Sequence, residues 1–300
     1  MTFIAHQVLG LTCETPLHAG GGGKEAVIDL PIQREAHTGW PCVYGSSMKG
    51  ALRARAELLP LDNTLIVQAF GPDTENASEH AGALLVSDAR LLLLPVRSLT
   101  THFKWVTCPA LLRRLLMDLA RAELGGVSLT LPKVEAGTAL GFIDRPLDDL
   151  YLEEFRFAYK EWPGMDAWVS VLQRFDAPVA GIDVQTQREV LKEQLVLVDD
   201  DSFSHLCRSA LPVLPHIRIN SATKTVAAGA LWYEENLPAE TMLYTVLSAQ
   251  PSRKPEHPME AKVLLDTLTE QLFATPYVQI GGNETTGMGW CRVARVHAEG

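Results

Sequence analysis

The chain contains only five cysteines among its 300 residues, and none of them belongs to a CxxC pair. This odd and scattered set argues against a disulfide framework and against a structural zinc site. Long hydrophobic runs are also missing, because Asp88 and Arg90 interrupt the longest candidate, ALLVSDARLLLLPV. No segment therefore has the length of a bilayer span, and we expect a soluble cytoplasmic protein with reduced thiols.

Positive charge is scarce as well, since 26 Lys and Arg residues face 36 Asp and Glu residues and give a formal net charge of -10. This balance argues against a free-standing nucleic-acid binder, which needs concentrated basic residues. It still permits a few bases that line one groove, with further basic surface from partner subunits. The distribution of charge must therefore be read locally.

A run of four glycines, Gly20 to Gly23, lies near the start of the segment from His18 to Arg53, which carries most of the side chains suited to chemistry. The run lacks the Ser or Thr and the distal glycine of a Walker sequence, and no GxGxxG passes through it. ATP or NAD binding is therefore not indicated. Consecutive glycines let a backbone approach a phosphate closely, although a flexible linker is the alternative.

The order of apolar patterns predicts an α+β fold rather than a doubly wound sheet. We expect a half-buried first strand that ends near Glu14 and a helix from SSMKGALRARAELL with Ser46 or Ser47 as its N-cap. Residues 64 to 82 are predicted to form polar turns. The stretch TKTVAAGALWYEENLP is predicted to form a protruding hairpin that turns at its glycine.

Two titratable residues near the glycine run are candidates for chemistry. Asp29 lies in the apolar segment AVIDLPI, where an ionised carboxylate is costly unless it meets a base, a metal or solvent. A carboxylate and the imidazole of His18 near one phosphodiester would supply metal coordination or proton transfer. The alternatives are a loop cap for Asp29 and a buried structural role for His18.

Lys49 and Arg53 are four residues apart on one face of the predicted helix, near its N-terminus. Side-chain charge and free backbone N-H groups together suit a phosphate, whereas a solvated helix face is the alternative. Gln33 and Arg34 add donors, although Arg34 has Glu35 as a neighbouring partner.

The C-terminal loop GGNETTG offers Asn and Thr side chains between glycines, which suits either RNA contact or a simple hairpin turn. Trp232 to Glu235 follow in the predicted hairpin, where aromatics can stack on bases and an acid can assist chemistry. Core packing is the alternative for these aromatics. Arg113, Arg114 and Arg121 are predicted to lie on a solvated helix face.

Four segments together resemble the RAMP superfamily, and within it the backbone subunits of the Cmr module of type III-B CRISPR effectors: AVIDLPIQREAHTGWPCVYGSSMKGALR, DARLLLLPVRS, TKTVAAGALWYEE and VQIGGNETTGMGW. The resemblance implies a modified ferredoxin-like, RRM-type fold with inserted lid and thumb elements. It implies one such domain over residues 1–300, with insertions within about 60–82 and 127–198 and a thumb-like hairpin near 220–238.

The same resemblance implies a function. Asp29 matches the loop acid of metal-dependent cleavage of target RNA, with His18 beside it, Tyr233 and Glu234 as secondary candidates, and Mg²⁺ or Mn²⁺ as the cofactor that Asp29 would help to bind. The implied partners are guide crRNA, single-stranded target RNA, further copies in a filament and other Cmr subunits. The implied RNA-binding residues are Gly21, Gly22, Gln33, Arg34, Ser47, Lys49, Arg53, Gly281, Gly282, Asn283, Thr285 and Thr286.

Two other functions stay open at this point. The chain would be a non-catalytic RNA-binding subunit if Asp29 is only a cap. It would be a stand-alone endoribonuclease that matures guide precursors if the isolated protein cuts repeat RNA.

Overall fold

The computed structural model describes residues 4–24, 27–72, 80–125, 129–144, 148–220, 222–253 and 258–297. Helices and strands alternate along the chain, which confirms the α+β class. The helices are α1 (Gly45–Leu58), α2 (Asn63–Phe70), α3 (Pro109–Arg121), α4 (Met165–Gln173), α5 (Val184–Gln194), α6 (Asp200–Ser209) and α7 (Ala261–Leu272). The strands are β1 (Ala5–Cys13), β2 (Cys42–Val43), β3 (Leu84–Val86), β4 (Ala89–Arg97), β5 (Phe103–Thr107), β6 (Thr138–Gly141), β7 (Asp149–Leu152), β8 (Phe155–Glu161), β9 (Leu195–Val198), β10 (Val213–Ile219), β11 (Val226–Glu235), β12 (Met242–Ala249), β13 (Tyr277–Gln279) and β14 (Trp290–Val296).

One large mixed sheet forms the centre, with the order β13-β14-β1-β12-β4-β5-β9-β6-β8-β7, while β2 pairs with β4 and β3 with β12. Strand β1 lies between β14 and β12, and both pairs are antiparallel. Its residues from Val8 onward are buried, so the expectation of a half-buried first strand is wrong. Helices cover both faces of the sheet at this point, which removes the solvent side that an alternating pattern implies.

Apolar side chains from the two faces of β1 enter two separate clusters. Leu9 and Leu11 pack with residues of α1, α2 and α7. Val8 packs on the other side with residues of α3, α4 and α5. The end of the sheet between these layers, where β1 finishes at Cys13, carries the loops of the candidate site. None of the helices in the described ranges combines the length and apolar character that a bilayer crossing requires.

Helix α1 confirms the helix predicted from SSMKGALRARAELL, and Met48, Leu52 and Ala56 are its buried residues. Its start is not where the serines predict it. The N-cap is Tyr44, which makes no side-chain cap bond, and the helix already includes Ser46. A glutamine from an earlier loop takes the place of a local cap, as described below.

Residues 64–70 belong to α2, so the prediction of polar turns is wrong for that part of 64–82, whereas residues 73–79 lie outside the described residues. The Asp62 side chain caps this helix by accepting from Thr64 N at 2.9 Å, and Leu65, Ile66 and Phe70 bury its apolar face. The predicted insertion in 127–198 contains β6 to β8, α4, α5 and β9 within its described residues.

The thumb-like hairpin is formed by β10 and β11, which pair with each other as a two-stranded sheet distinct from the large sheet. It spans 213–235 and therefore begins earlier than predicted. The turn is not at the glycine of AAGALW, which lies inside β11. Asn220 closes the turn instead, because its N-H donates to Thr225 O and its carbonyl accepts from Lys224 N, both at 2.8 Å.

Candidate functional site

The segment between β1 and β2 folds back on itself as a loop, here called the Asp29 loop, residues 14–33. Gly20 pairs with Ile32, Gly21 N donates to Pro31 O at 2.7 Å, and Gln33 N donates to Ala19 O at 2.8 Å. A Cβ at Gly21 would lie 2.8 Å from Ile32 O, so glycine is needed for contact with this chain itself. The close approach that we expected toward a ligand is therefore intramolecular at Gly21, whereas Gly22 has open space around it.

Asp29 lies where this loop meets the end of the hairpin. Its Oδ1 accepts from Lys24 Nζ at 2.8 Å and its Oδ2 accepts from Tyr233 N at 3.0 Å. The Asp29 N-H donates in return to Tyr233 O at 3.1 Å. The hydrogen bond from Lys24, followed by the one from the Tyr233 backbone, lowers the pKa of the Asp29 carboxyl. Asp29 is thus an ionised and partly exposed carboxylate.

His18 belongs to the same loop, and its side chain is almost completely buried. Its Nδ1 lies 2.8 Å from Glu235 O, and because a carbonyl only accepts, Nδ1 carries the proton. In this tautomer Nε2 carries a lone pair and lies close to Gly20, where a Cβ would lie 3.3 Å from Nε2. The loop backbone must move, or a ligand must enter beside Gly20, for this nitrogen to reach RNA.

The two secondary candidates in β11 have different environments. Tyr233 holds Asp29 through its backbone, and its ring is 40% exposed. Glu234 is buried, and its Oε1 accepts from Asn283 Nδ2 at 2.7 Å and lies 3.7 Å from His216 Nε2. Glu234 therefore joins the hairpin to the C-terminal loop, and its contacts do not include Asp29.

The C-terminal loop, residues 280–289, is fastened to the Asp29 loop. Gly282 N donates to His18 O at 2.9 Å. Gly281 has φ +84°, and a Cβ there would lie 2.3 Å from His18 O, so only glycine fits this position. Asn283 is left-handed at φ 61° and precedes a short helix in which Thr285 and Thr286 are exposed.

Gln33 makes internal bonds rather than offering free donors. Its Nε2 donates to Gly20 O at 3.1 Å and to Ser47 Oγ at 3.0 Å, and its Oε1 accepts from Tyr44 N at 2.6 Å. The side chain is only 7% exposed. Gln33 thus caps α1 from outside the helix and ties the helix start to the Asp29 loop, so an RNA contact would require it to leave these bonds.

The position of Arg34 next to Glu35 in the sequence suggests an ion pair between them, but the two side chains do not pair in the structure. The Arg34 guanidinium forms an ion pair with Glu235 and donates to Gly39 O at 2.9 Å and Cys207 O at 3.0 Å. Glu35 pairs with Arg114 instead. The expectation that Arg114 lies on a solvated face is therefore wrong, because its guanidinium also lies over the ring of Trp40, at 5.3 Å from the centroid.

Lys49 and Arg53 occupy one side of α1, and both have partners within the chain. Lys49 Nζ donates to Leu84 O at 3.1 Å, and burial, followed by the charge of Arg53, lowers the pKa of its ammonium. Arg53 donates to Glu57 at 2.7 Å and to Gly71 O at 3.3 Å. RNA phosphates would have to compete with these weak, partly exposed contacts.

The donor set around Asp29 provides one carboxylate. Within the described ranges, no group of three His, Cys, Asp or Glu side chains is arranged to hold a metal ion. Mg²⁺ commonly binds through one or two carboxylates together with substrate phosphates and water, rather than in an all-protein cage. Asp29 fits a cation of that kind, brought in with RNA.

The contacts that Glu235 and Lys24 make in this site are not predicted from the sequence. Glu235 pairs with Arg34 and holds Ile32 N at 3.1 Å, and Lys24 pairs with Asp29. The available signal is the double acid in WYEENL, at the end of an apolar strand, where two adjacent carboxylates need partners.

The sequence model of the RAMP superfamily matches residues 10–292 of the chain. A protein of Pyrococcus furiosus named CRISPR system Cmr endoribonuclease Cmr4 is 36% identical over 291 residues, which cover 95% of this chain and 94% of that protein. The crystal structure of oligomeric Cmr4 from Pyrococcus furiosus superimposes with a TM-score of 0.72 at 26% identity and covers 98% of this chain and 99% of that one. A chain of the type III-B Cmr-beta complex bound to cognate target RNA shares the fold, with a TM-score of 0.74 at 23% identity and 98% coverage of both chains.

Proposed function

From membership of the RAMP superfamily, to which this chain belongs, we propose that it is a backbone subunit of a type III-B CRISPR effector complex. In this role it binds guide crRNA along a filament of several copies, associates with other Cmr subunits and cuts complementary target RNA as an endoribonuclease. The relative named as a Cmr endoribonuclease supports this function over nearly the full length of both chains. We place the complex in the cytoplasm.

The observation that carries the catalytic assignment is the position of Asp29. Its carboxylate is fixed between the exposed ammonium of Lys24 and the backbone of the hairpin, and it keeps about a third of its surface exposed. The hairpin projects from the sheet beside it as a separate two-stranded unit. An RNA strand that lies against the hairpin would therefore place a phosphodiester next to an ionised carboxylate.

We assign cleavage to attack of a 2′-hydroxyl on the neighbouring phosphorus, which forms a 2′,3′-cyclic phosphate and expels the 5′-oxygen, and the 5′-oxygen takes a proton from water. The lowered pKa makes Asp29 a weak base, so its part is to orient and polarise the hydroxyl as a carboxylate. His18 supports the loop and presents Nε2 as a proton acceptor when Gly20 moves. When bound, Mg²⁺ or Mn²⁺ would neutralise charge on the phosphate, held by Asp29 and RNA oxygens.

The guide strand is proposed to lie along the start of α1 and the C-terminal loop. Lys49 and Arg53 supply charge there, and Gly281 to Thr286 supply exposed backbone and hydroxyl groups. Exposed aromatic side chains border this track, namely Tyr44, Tyr233 and Trp290, each 40% exposed. Such rings suit stacking on bases. A narrow track is sufficient in a filament, because copies that share one RNA bind with avidity, and this is compatible with the acidic balance.

The test is an Asp29→Asn variant in a reconstituted complex with guide and target RNA. Asparagine keeps an oxygen for the Tyr233 N-H but removes the charge. We expect loss of target cutting at every site with normal assembly and guide binding. Asp266→Asn is the matched control, because Asp266 is an exposed acid paired with Lys262 on α7.

Normal cutting by the Asp29→Asn complex would assign the activity to another subunit and leave this chain an RNA-binding scaffold. Site-specific cutting of repeat RNA by the isolated wild-type protein would instead favour maturation of guide precursors. Both outcomes are read from the same gels, with the cation varied to test the proposed metal dependence.

A further inference from the structure

Glu235, the last residue of β11, is a buried carboxylate that the proposed cleavage reaction does not use. It is 2% exposed. Its Oε2 accepts from Ile32 N at 3.1 Å, and its Oε1 pairs with Arg34. An ionised carboxylate in such a position costs several kcal/mol of desolvation unless these partners stay in place.

The backbone of the same residue contacts the other parts of the Asp29 loop. Glu235 O accepts from His18 Nδ1 at 2.8 Å, and Glu235 N donates to Leu30 O at 3.0 Å. Glu235 therefore contacts both arms of the Asp29 loop, where the first arm is the part that contains His18 and the second arm is the part that follows Asp29. Two residues earlier in β11, Tyr233 holds Asp29 itself.

A purely structural ion pair would account for the bond between Glu235 and Arg34. It does not account for the bond to Ile32 N, which uses the second carboxylate oxygen on the loop that presents Asp29. Arg34 is itself anchored to Gly39 O and Cys207 O, so the arginine that pairs with the carboxylate is held in place by two backbone carbonyls. The loop is thus held against a fixed group.

We propose that Glu235 is a positioning residue for target cleavage: it holds both arms of the Asp29 loop, so that Asp29 faces the scissile phosphodiester. This inference rests on the proposed function. It assigns Glu235 no contact with RNA. A shift of about 1 Å in a catalytic group can slow a reaction about 100-fold, so loss of the Ile32 bond should appear in the rate of cutting.

Two substitutions separate the acceptor from the charge. Glu235→Leu removes the acceptor of Ile32 N, and single-turnover cutting by the assembled complex should fall about 100-fold with unchanged guide binding. Glu235→Gln keeps an oxygen for Ile32 N and loses only the charge, so cutting should slow about fivefold. Hydrogen exchange at the Ile32 amide should accelerate in the leucine variant and stay slow in the glutamine variant.

The matched control is Asp118→Asn, because Asp118 is another buried acid paired with an arginine, Arg90, and it also accepts from Tyr244. We expect it to lower the unfolding temperature without slowing cutting by assembled complexes. If Glu235→Leu does not fold, the double variant Arg34→Met/Glu235→Leu removes both charges of the pair, and its cutting rate and its hydrogen exchange at Ile32 are measured on complexes saturated with guide RNA.

Wild-type cutting rates in the leucine variant, with fast exchange at Ile32, would overturn the inference. An equal loss of cutting in Asp118→Asn would overturn it too, since general destabilisation would then be the cause. An inactive wild-type complex would instead count against the proposed function, so the two failures are distinguishable.

Discussion

Replacing Gly281 with alanine tests the contact between the C-terminal loop and His18. At φ +84° an alanine costs about 1 kcal/mol more than a glycine. Its Cβ would also lie 2.3 Å from His18 O, which forces the two segments apart and breaks the bond from Gly282 N to His18 O. The lost hydrogen bond adds about 1 kcal/mol, so we expect a total loss of about 2 kcal/mol in the free energy of unfolding.

Gly287 provides the control, because it lies in the same loop at φ +83° and a Cβ at this position would have nothing within 4 Å. Gly287→Ala should lose only the backbone cost of about 1 kcal/mol. Urea unfolding of the two variants measures the difference directly. Equal losses would show that the contact with His18 contributes nothing, and would refute the reasoning.

Three further predictions concern the charges and thiols of the site. Lys49→Ala and Arg53→Ala should each weaken guide binding and reduce the salt slope by about 1, as measured by filter binding at several salt concentrations; an unchanged slope would exclude a phosphate contact. The lowered pKa keeps the Asp29 carboxylate ionised even at its ordinary pKa value of 3.8, so its contribution to cutting should be lost only as the pH falls below that value. Lys24→Ala removes the largest cause of the shift, and the acid limb of the rate profile should move to higher pH. Burial raises the pKa of Cys42 to about 12, so this thiol should resist alkylation in the native protein at pH 8 and react in denaturant, as mass spectrometry can follow.

Local signals in the sequence predict much of the fold. The spacing of Met48, Leu52 and Ala56 predicts α1, and the glycine-bounded turn before β14 predicts the last strand pair. Helix α2 escapes prediction because its cap, Asp62, and its polar surroundings resemble a turn-rich loop. Burial of its apolar face in the tertiary structure stabilises this helix, although the local composition favours a loop.

The sequence predicts which residues belong to the candidate site from their types, but it does not predict which residues they contact. Asp29 stands out as a lone acid, but its neighbours Lys24 and Tyr233 depend on how the loop closes. Arg34 has an acid beside it in the sequence, and the fold instead brings Glu235 from 201 residues away. Pairings at that separation leave no periodic signal in a single sequence, so only the structure supplies them.

The bonds that join the hairpin to the Asp29 loop limit how this subunit can be recombined with its relatives. Leu17 pairs with Leu237 and Leu30 pairs with Glu234, so the backbone of each arm of the loop pairs with the segment at the C-terminal end of the hairpin. A chimaera that exchanges one segment alone would place foreign backbone opposite these residues. Functional grafts should therefore exchange residues 14–33 and 213–237 as one unit, and substitutions tolerated in either segment should depend on the sequence of the other.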